Sequence, residues 1–262
     1  ARQEADFNTE LEILTGTHQA REQRNLASRA FYQHSISMKT SAKTSALIPA
    51  GGSGRRISAS RSKQYLLIDG MPILAHTLMV FQESPAIDDI IVIVPEDDID
   101  DVKKDIINKY GFSKVAGVVP GGAERQDSVR NGLAKIGDDT DVVIIHDGVR
   151  PFITDALIGI SVEEALRNAA ATLGVPSRDT IKTITPDGWI VKTLNRSDLR
   201  SIQTPQTFLR HVIQQAYQKV YKDNFYGTDD AMLVERIGIP VKVIEGSYDN
   251  IKITTREDLL LA

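Results

Sequence analysis

Short apolar runs rich in β-branched residues alternate with helical patterns from Ser45 to the end of the chain. The apolar runs, each four or five residues long, are 46–49, 90–94, 142–145, 172–175 and 241–244. The helical patterns between them lie near residues 73–81, 98–110, 124–136 and 155–169. This alternation predicts a doubly wound, mainly parallel α/β sheet of the Rossmann-like type, with helices on both faces. Ligands of such sheets bind at the carboxyl ends of the strands.

A glycine-rich loop follows the first of these strands. Residues 47–56 read Leu-Ile-Pro-Ala-Gly-Gly-Ser-Gly-Arg-Arg, and Lys63 comes seven residues after Arg56. Bare backbone N–H groups beside fixed positive charge suit a polyphosphate. The loop lacks the Gly-Lys-Ser/Thr of a Walker A loop, and Ile57 holds the third glycine position of the dinucleotide fingerprint. We therefore expect a triphosphate site with Arg56 and Lys63, rather than a tight turn with two solvated arginines.

Composition excludes several classes of protein. The 262 residues are 41% hydrophobic and 25% charged, which suffices for one large core. A net charge of -4 gives no electrostatic case for nucleic acid. The absence of Cys rules out disulfides, thiolate zinc sites and cysteine nucleophiles. No apolar run approaches the roughly 20 residues of a membrane helix. We expect no nucleic-acid or membrane partner, and a cytoplasmic location.

Residues 1–44 differ in composition from the rest of the chain. They are rich in Arg, Gln, Ser and Thr, and from Arg21 to Thr44 they carry five cations and one acid, Glu22. This bias superficially suits an organellar transit peptide. We interpret the segment instead as a disordered or non-native extension, with Met38 as a plausible start. The catalytic domain is then expected to span 45–262, in a bacterial-type cytoplasmic enzyme rather than a plastid one.

One segment interrupts the alternation of strands and helices. Residues 180–185 and 189–194 both alternate apolar and polar side chains, and they flank the turn-forming tripeptide Pro186-Asp187-Gly188. This pattern predicts a two-stranded ribbon with one face to bury. Because an isolated hairpin is marginal in water, the ribbon must pack on something. A partner subunit is the expected contact, with a protruding arm at about 177–198.

A carboxylate follows the buried strand at 142–145. Asp147 stands in the sequence His146-Asp147-Gly148-Val149-Arg150-Pro151, just past the end of that strand. A carboxylate there can hold Mg²⁺ against phosphate oxygens, whereas a lone Asp would more often cap a turn. Because the strand before the glycine-rich loop is expected in the same sheet, metal binding by Asp147 is favoured over turn capping. His146 is expected to be a hydrogen-bonded core residue rather than a catalyst.

The sequence resembles the 2-C-methyl-D-erythritol 4-phosphate cytidylyltransferase family. Seven blocks carry the resemblance, in order, between Ser45 and Ala262. They are residues 50–56 with Lys63-Gln64-Tyr65, then 121–129, 146–151, 178–182, 203–206, 228–230 and 250–254. Each block alone is weakly specific, but seven in sequence are highly specific.

The resemblance implies transfer of a cytidylyl group from CTP to 2-C-methyl-D-erythritol 4-phosphate in the non-mevalonate isoprenoid pathway. The products are 4-diphosphocytidyl-2-C-methyl-D-erythritol and pyrophosphate. A phosphate monoester is largely ionised near neutral pH, so its oxygen can attack the α-phosphorus without a general base. Catalysis then depends on alignment and on neutralising the charge of the α-phosphate and the leaving pyrophosphate.

The resemblance also implies roles for individual residues. The catalytic set is Arg56, Lys63 and Lys252. The nucleotide-binding set is Ala50, Gly51, Gly52, Ser53, Gly54, Gly122, Ala123, Ser128, Asp147 and Gly148. The substrate-binding set is Arg150, Thr180, Arg196, Thr204, Thr228 and Lys252, with Thr180 and Arg196 delivered by the other subunit of a homodimer. Asp147 is the expected ligand of Mg²⁺ or another divalent cation, and Asp249 is the second candidate.

Three other functions remain open at this point. A ribitol 5-phosphate cytidylyltransferase would share the loop and the metal site, although 195–198 and 228–230 favour methylerythritol. A catalytically silent nucleotide-binding module is opposed by the presence of Arg56, Lys63, Asp147 and Lys252. A dinucleotide-dependent reductase is opposed by the failed fingerprint.

Overall fold

A seven-stranded sheet runs through the part of the chain that the computed structural model describes, residues 42–51 and 62–262. The strands in these residues are β1 (Thr44–Pro49), β2 (Leu67–Ile68), β3 (Met71–Pro72), β4 (Asp89–Val94), β5 (Val115–Pro120), β6 (Val142–Ile145), β7 (Ala170–Pro176), β8 (Lys182–Ile184), β9 (Ile190–Thr193), β10 (Arg200–Leu209) and β11 (Lys242–Glu245). The central sheet has the order β11-β7-β10-β6-β1-β4-β5. Within it, β10 runs antiparallel to β6 and β7, and the other neighbouring pairs are parallel. The predicted mainly parallel α/β class is confirmed.

Helices connect the strands of this sheet. Those in the described residues are α1 (Ile73–Glu83), α2 (Ile99–Val102, continued by the π-helical turn Lys103–Asn108), α3 (Arg125–Leu133), α4 (Asp155–Asn168), α5 (Arg210–Lys222), α6 (Asp230–Arg236) and α7 (Arg256–Leu261). The five predicted strands and four predicted helices are all present, whereas β2, β3, β5, β10 and α5 were not predicted. None of these helices is long and apolar enough to cross a bilayer.

The centre of the sheet positions two loops side by side. Apart from the partly buried Pro49 and Asp89, the residues of strands β1, β4 and β6 have almost no solvent exposure, as expected for parallel strands covered on both faces. Their carboxyl ends lie at one edge because the strands are parallel. Beyond that edge, Gly148 N–H donates to the Pro49 carbonyl at 3.0 Å and Ala50 N–H donates to the Ile93 carbonyl at 2.7 Å. The chain after β1 is therefore adjacent to the chain after β6.

Strand β10 was missed because many of its buried side chains are polar. Gln203, Thr204, Gln206 and Thr207 are each at most 7% exposed. Gln206 shows how such residues are accommodated: its Nε2 donates to Asp229 Oδ2 at 2.8 Å, and its Oε1 accepts from Ala231 N–H at 2.9 Å. A buried amide with both ends bonded does not carry the cost of an unpaired polar group. Gln206 thereby ties the centre of the sheet to the start of α6.

The start of α6 differs from what the sequence predicts. Thr228 is a residue type that caps helices, which predicts a helix over 229–237, but α6 begins at Asp230 and its N-cap is Asp229. The Asp229 carboxylate accepts from Met232 N–H at 2.9 Å, as an N-cap side chain does. The Thr228 hydroxyl lies 3.6 Å from Met232 Sδ instead.

The last helix begins as the sequence predicts. Residues 255–258 read Thr-Arg-Glu-Asp, a capping-box pattern. That capping box, with Thr255 as the N-cap and Asp258 three residues later, is present in α7.

The predicted hairpin is present as a separate two-stranded sheet. Strands β8 and β9 pair antiparallel, and the turn between them contains Gly188 with a φ of 92°. Its large apolar side chains are uncovered by the described chain: Ile184, Trp189, Ile190 and Val191 are 62–72% exposed. Residues 42–51 and 62–262 therefore leave both faces of the arm's two strands exposed.

Replacing Gln206 with Leu will destabilise the fold by about 2–4 kcal/mol, because two buried bonds are lost and the Ala231 N–H and Asp229 carboxylate lose their partner. Urea unfolding followed by circular dichroism measures this change. The matched control is Gln215→Leu on the exposed side of α5, which should stay within about 0.5 kcal/mol of the unaltered chain. Equal stabilities of the two variants would show that the Gln206 bonds do not fasten α6.

Candidate active site

Two cavities adjoin each other at the carboxyl edge of the sheet. The glycine-loop cavity, of about 440 Å³, lies where β1 ends, and its lining includes Ala50 and Gly51. The β10 cavity, of about 250 Å³, is lined by residues of β10 and of the segment before α6, such as Thr204 and Thr228. Side chains of Arg125, Asp147 and Lys252 line both cavities. Ligands in the two cavities would meet at these three residues.

Cations surround the Asp147 carboxylate at this boundary. Lys252 Nζ lies 2.8 Å and Arg150 Nε 3.7 Å from Asp147 Oδ2, while Arg125 Nε donates to Oδ1 at 3.2 Å. Burial alone would raise the pKa of Asp147, but Arg125 and Lys252 outweigh it and hold that pKa well below its usual range. The carboxylate is therefore ionised at neutral pH. We call these four residues the central ion cluster.

A chain of buried hydrogen bonds supports the cluster from inside the sheet. Asp147 N–H donates to Thr204 Oγ1 at 3.1 Å, the Thr204 hydroxyl lies 3.1 Å from His146 Nδ1, and His146 Nε2 lies 3.1 Å from the Arg150 carbonyl. Burial lowers the pKa of His146 to about 4, so the ring is neutral at pH 7. The carbonyl can only accept, so Nε2 carries the proton and Nδ1 accepts from Thr204. His146 is thus a hydrogen-bonded core residue, as predicted.

The segment that carries Lys252 is fastened to the same network. Arg150 Nη1 donates to the Asn250 carbonyl at 2.7 Å, and Asn250 Nδ2 donates to the Thr204 carbonyl at 2.9 Å. Ile253 N–H donates to the Val149 carbonyl at 2.9 Å. Bonds on both sides of Lys252 therefore hold its backbone next to Asp147.

The opposite wall of the glycine-loop cavity is the start of α3. Gly122 N–H donates to Ser128 Oγ at 3.0 Å, and Ser128 donates to the Glu124 carbonyl at 3.1 Å. A Cβ on Gly122 would stand 2.3 Å from Asp127 Cβ, so only glycine permits this approach of loop and helix. At Gly122 and Ser128 the cavity wall is consequently formed by backbone and one hydroxyl.

The structure brings most of the predicted nucleotide and substrate residues together. Residues 50, 51, 63, 122, 123, 128, 147 and 252 line the glycine-loop cavity. Arg150, Thr204 and Thr228 line the β10 cavity with Asp147 and Lys252. Gly148 lies beneath the first cavity, where an added Cβ would stand 2.9 Å from that of Ala50.

Other predicted residues are placed elsewhere or fall outside the described chain. Gly52, Ser53, Gly54 and Arg56 lie outside the described residues. Thr180 and Arg196 lie at the base of the arm and line neither cavity of their own chain, and Arg196 Nη1 donates to the Arg178 carbonyl at 3.1 Å. Asp249 is exposed and lines neither cavity.

Sequence reasoning missed Arg125 and Asp230. Arg125 Nη1 donates to Asp230 Oδ2 at 2.7 Å, and Asp230 is only 1% exposed. Burial lowers the pKa of Arg125, but Asp230 and Asp147 outweigh it and raise that pKa above its usual value. One signal was available: Arg125 is the first residue of α3, where the helix dipole disfavours a cation. A cation in that position indicates that carboxylates lie nearby in space.

The donor set of the site limits how a metal ion can bind. Among the described residues, no group of three or more His, Asp or Glu side chains is arranged to hold a metal. Asp147 is a single ionised carboxylate open to both cavities. Mg²⁺ commonly binds through one or two carboxylates together with substrate phosphates and water. The residues present therefore fit a Mg²⁺ that arrives with a phosphate ligand, and not a cage made of protein side chains.

The fold and the site define a nucleotidyltransferase: phosphate-directed cations and one ionised carboxylate meet at the carboxyl edge of a mainly parallel α/β sheet. The sequence model of the 2-C-methyl-D-erythritol 4-phosphate cytidylyltransferase family matches residues 44–262. The chain belongs to that family, as the resemblance predicted.

Named relatives and a solved structure agree with this membership. The 2-C-methyl-D-erythritol 4-phosphate cytidylyltransferase of Syntrophus aciditrophicus is 51% identical over 220 residues, covering 84% of this chain and 94% of the relative. That of Geotalea uraniireducens is 51% identical over 222 residues, with coverages of 84% and 95%. The crystal structure of 4-diphosphocytidyl-2C-methyl-D-erythritol synthase from Anaerococcus prevotii has a TM-score of 0.75 at 35% identity, covering 84% of this chain and 94% of that one. The predicted enzyme and its reaction in isoprenoid synthesis are confirmed, and the ribitol 5-phosphate alternative is not favoured.

Replacing Thr204 with Val will lower kcat about tenfold, because the Asp147 N–H and His146 Nδ1 lose their common partner while the side chain keeps its shape. Pyrophosphate release at saturating substrates measures kcat. The matched control is Thr207→Val on the same strand, where the hydroxyl donates to Ser161 Oγ at 2.9 Å, away from both cavities. That variant should lose stability but keep its kcat, and a normal kcat in Thr204→Val would remove the supporting role of Thr204.

Proposed function

We propose that cytidylyl transfer takes place where the two cavities meet, with CTP in the glycine-loop cavity and methylerythritol phosphate in the β10 cavity. The observation that carries this proposal is the shared lining of Arg125, Asp147 and Lys252. Two anionic ligands in adjoining cavities would have their phosphates closest at the cationic part of this boundary. In the proposed arrangement, one cationic site holds the two anionic substrates next to each other, so that they react as if within one molecule.

The chemistry needs alignment and charge more than proton transfer. An oxygen of the methylerythritol phosphate attacks the α-phosphorus of CTP in line, the new P–O bond forms, and the bond to the bridging oxygen of pyrophosphate breaks. The attacking monoester is already ionised near neutral pH, so no base is required. Lys252, beside Asp147, orients that phosphate and offsets the charge that develops on the α-phosphate. Lys63, in the lining of the glycine-loop cavity, and Arg56 act on the triphosphate.

The remaining predicted contacts divide between base, ribose and acceptor. The cytosine is held by the backbone of residues 50–51 and 122–123 and by the Ser128 side chain, which is hydrogen-bonded to Gly122 N–H in the cavity wall. Gly52, Ser53 and Gly54 contact the triphosphate, and Gly148 lies near the ribose. Arg150, Thr204 and Thr228 surround the methylerythritol phosphate in the β10 cavity. An added Cβ on Gly148 would stand 2.9 Å from that of Ala50, so a larger residue there would displace the backbone that lines the glycine-loop cavity.

Asp147 would hold Mg²⁺ or another divalent cation. The metal would supply charge neutralisation and orientation to the phosphates of CTP. The ionised state of Asp147 and its place at the boundary of the two cavities support this role. Asp249, exposed and outside both linings, is the weaker ligand candidate. The Mg²⁺ would be shared with the nucleotide rather than caged by the protein.

A homodimer would complete the site. The uncovered apolar side chains of the arm, 62–72% exposed, support an arm at 177–198 that packs on a second copy of the catalytic domain 45–262. Thr180 and Arg196 line neither cavity of their own chain, which supports delivery to the β10 cavity of the partner. A cytoplasmic location and the separate status of residues 1–44 stay predictions.

Replacing Lys252 with Met will lower kcat/KM about 10²–10³-fold, because a charge that acts on the transition state is removed while the length of the side chain is kept. A coupled pyrophosphate assay with CTP and methylerythritol phosphate measures it, with ribitol 5-phosphate as the alternative acceptor. Lys242→Met, on the exposed face of edge strand β11, is the control and should leave kcat/KM unchanged. Turnover of Lys252→Met near that of the control would remove Lys252 from the reaction.

Mixing two inactive variants tests delivery of Arg196 by the partner. Arg196→Ala and Lys252→Met each disable one contribution to the site. If they come from different subunits, a mixed dimer contains one intact site, and random exchange restores about a quarter of the unaltered activity. Activity is measured after subunit exchange, and sedimentation verifies the dimer. No recovery in a mixture shown to contain mixed dimers would place Arg196 and Lys252 in the same subunit.

A further inference from the structure

Arg125 is shared between two carboxylates at different depths. Its Nε donates to Asp147 Oδ1 at 3.2 Å, at the boundary of the cavities, and its Nη1 donates to Asp230 Oδ2 at 2.7 Å, where Asp230 is buried. Two different nitrogens of one planar guanidinium are engaged, so the plane cannot turn without losing one of the bonds. The position of Arg125 beside Asp147 therefore depends on Asp230.

Asp230 is in turn held by Tyr217. The Tyr217 hydroxyl donates to Asp230 Oδ1 at 2.6 Å, and Tyr217 is only 4% exposed. Each carboxylate oxygen of Asp230 thus has one donor, Tyr217 on Oδ1 and Arg125 on Oδ2. Tyr217 lies in the middle of α5, and Asp230 is the first residue of α6. Neither residue lines the glycine-loop cavity or the β10 cavity.

We propose that Tyr217 and Asp230 are positioning residues that act through Arg125 to fix the Asp147 carboxylate at the boundary of the two cavities. This inference rests on the proposed function, because it assigns a purpose to the geometry of Asp147 in cytidylyl transfer. We call the series Tyr217, Asp230, Arg125 and Asp147 the tyrosine relay. Its consequence is that a buried hydroxyl on α5 changes the rate of a reaction in which it touches no substrate.

The neighbouring turn of α5 offers a matched control. Tyr221 lies four residues after Tyr217 and also donates its hydroxyl to a carboxylate, that of Asp127. Asp127 accepts from Glu124 N–H at 3.1 Å and so caps the start of α3. Tyr221→Phe therefore removes a similar Tyr–Asp bond from the same helix, one that joins α5 to α3 rather than to α6 and involves neither Asp230 nor a side chain of the relay.

The kinetic test compares Tyr217→Phe with Tyr221→Phe. We expect Tyr217→Phe to lower kcat about tenfold with little change in either KM, because binding is kept and alignment in the transition state is lost. Tyr221→Phe should keep kcat within about twofold while losing a similar amount of stability in urea unfolding. Equal kcat values for the two variants, after correction for folded protein, would overturn the proposal.

A double-mutant cycle tests whether Tyr217 acts through Asp230. Asp230→Asn should lower kcat about a hundredfold, and adding Tyr217→Phe to it should lower kcat no further, because the relay is already broken. Tyr221→Phe in the same background should behave as it does alone. Independent, multiplying losses for Tyr217→Phe and Asp230→Asn would show that the tyrosine does not act through the carboxylate.

A readout without turnover separates failure of the relay from failure of the proposed function. The Nε–H of Arg125 can be followed by side-chain nitrogen NMR, where its bond to Asp147 should slow exchange with water. We expect faster exchange in Tyr217→Phe and no change in Tyr221→Phe. Unchanged exchange in both variants overturns the relay even if the enzyme is active. If the unaltered chain released no pyrophosphate from CTP and methylerythritol phosphate, the proposed function would fail, while the NMR comparison would still decide the relay.

Discussion

The buried negative charge of Asp147 is the constraint on which the rest of the site depends. A carboxylate that is 6% exposed would be costly to ionise unless cations and hydrogen bonds replaced water. Three cations do so from three different segments: Arg125 from α3, Arg150 from the loop after β6, and Lys252 from the segment before α7. Each of these segments must therefore be held in register with the end of β6.

Each cation in turn has its own support. Arg125 is hydrogen-bonded to the Asp230 carboxylate, and Arg150 to the Asn250 carbonyl. The segment that carries Lys252 is held by the hydrogen bond from Ile253 N–H to the Val149 carbonyl. Buried ion pairs are weak contributors to net stability, because desolvation offsets much of the attraction. Their value here is geometric: the charges that must face two anionic ligands are fixed before the ligands arrive. Such preorganisation is where electrostatic catalysis obtains most of its effect.

The sequence predicts what is local and periodic, and it fails where the structure depends on distant partners. Central strands β1, β4 and β6 are apolar runs, so their pattern shows directly in the sequence. Strand β10 does not, because the buried polar side chains of Gln203, Thr204 and Gln206 depend on partners elsewhere in the chain, up to 58 residues from Thr204. Arg125 pairs with the carboxylate of Asp230, 105 residues further along the chain, and no local sequence pattern can predict such a pair.

The helix cap at α6 shows the same limit on a smaller scale. Thr228 and Asp229 are both residue types that cap helices well. Gln206 favours Asp229 as the cap, because its side chain donates to Asp229 Oδ2 and accepts from the Ala231 N–H. Many of the predicted site residues in the described part of the chain line the two cavities, because the family blocks mark positions whatever their structural cause. Those blocks did not mark Asp230 as a site residue, since its role is to hold another residue and not to touch a ligand.

The charge balance of the described site supports the proposed second subunit. The central ion cluster and Asp230 together contain three cations and two carboxylates, and Lys63 adds one more cation in the glycine-loop cavity. A nucleoside triphosphate and a phosphate monoester bring considerably more negative charge than this excess can offset. Under the proposed function, the remaining positive charge would come from Arg56, from a divalent cation at Asp147, and from Arg196 on a partner's arm. The arm has exposed Trp189 and Val191 and a cation at its base. On a second subunit it would bury these apolar side chains and also add positive charge to the neighbouring site. Dimerisation and substrate binding would then depend on the same contact.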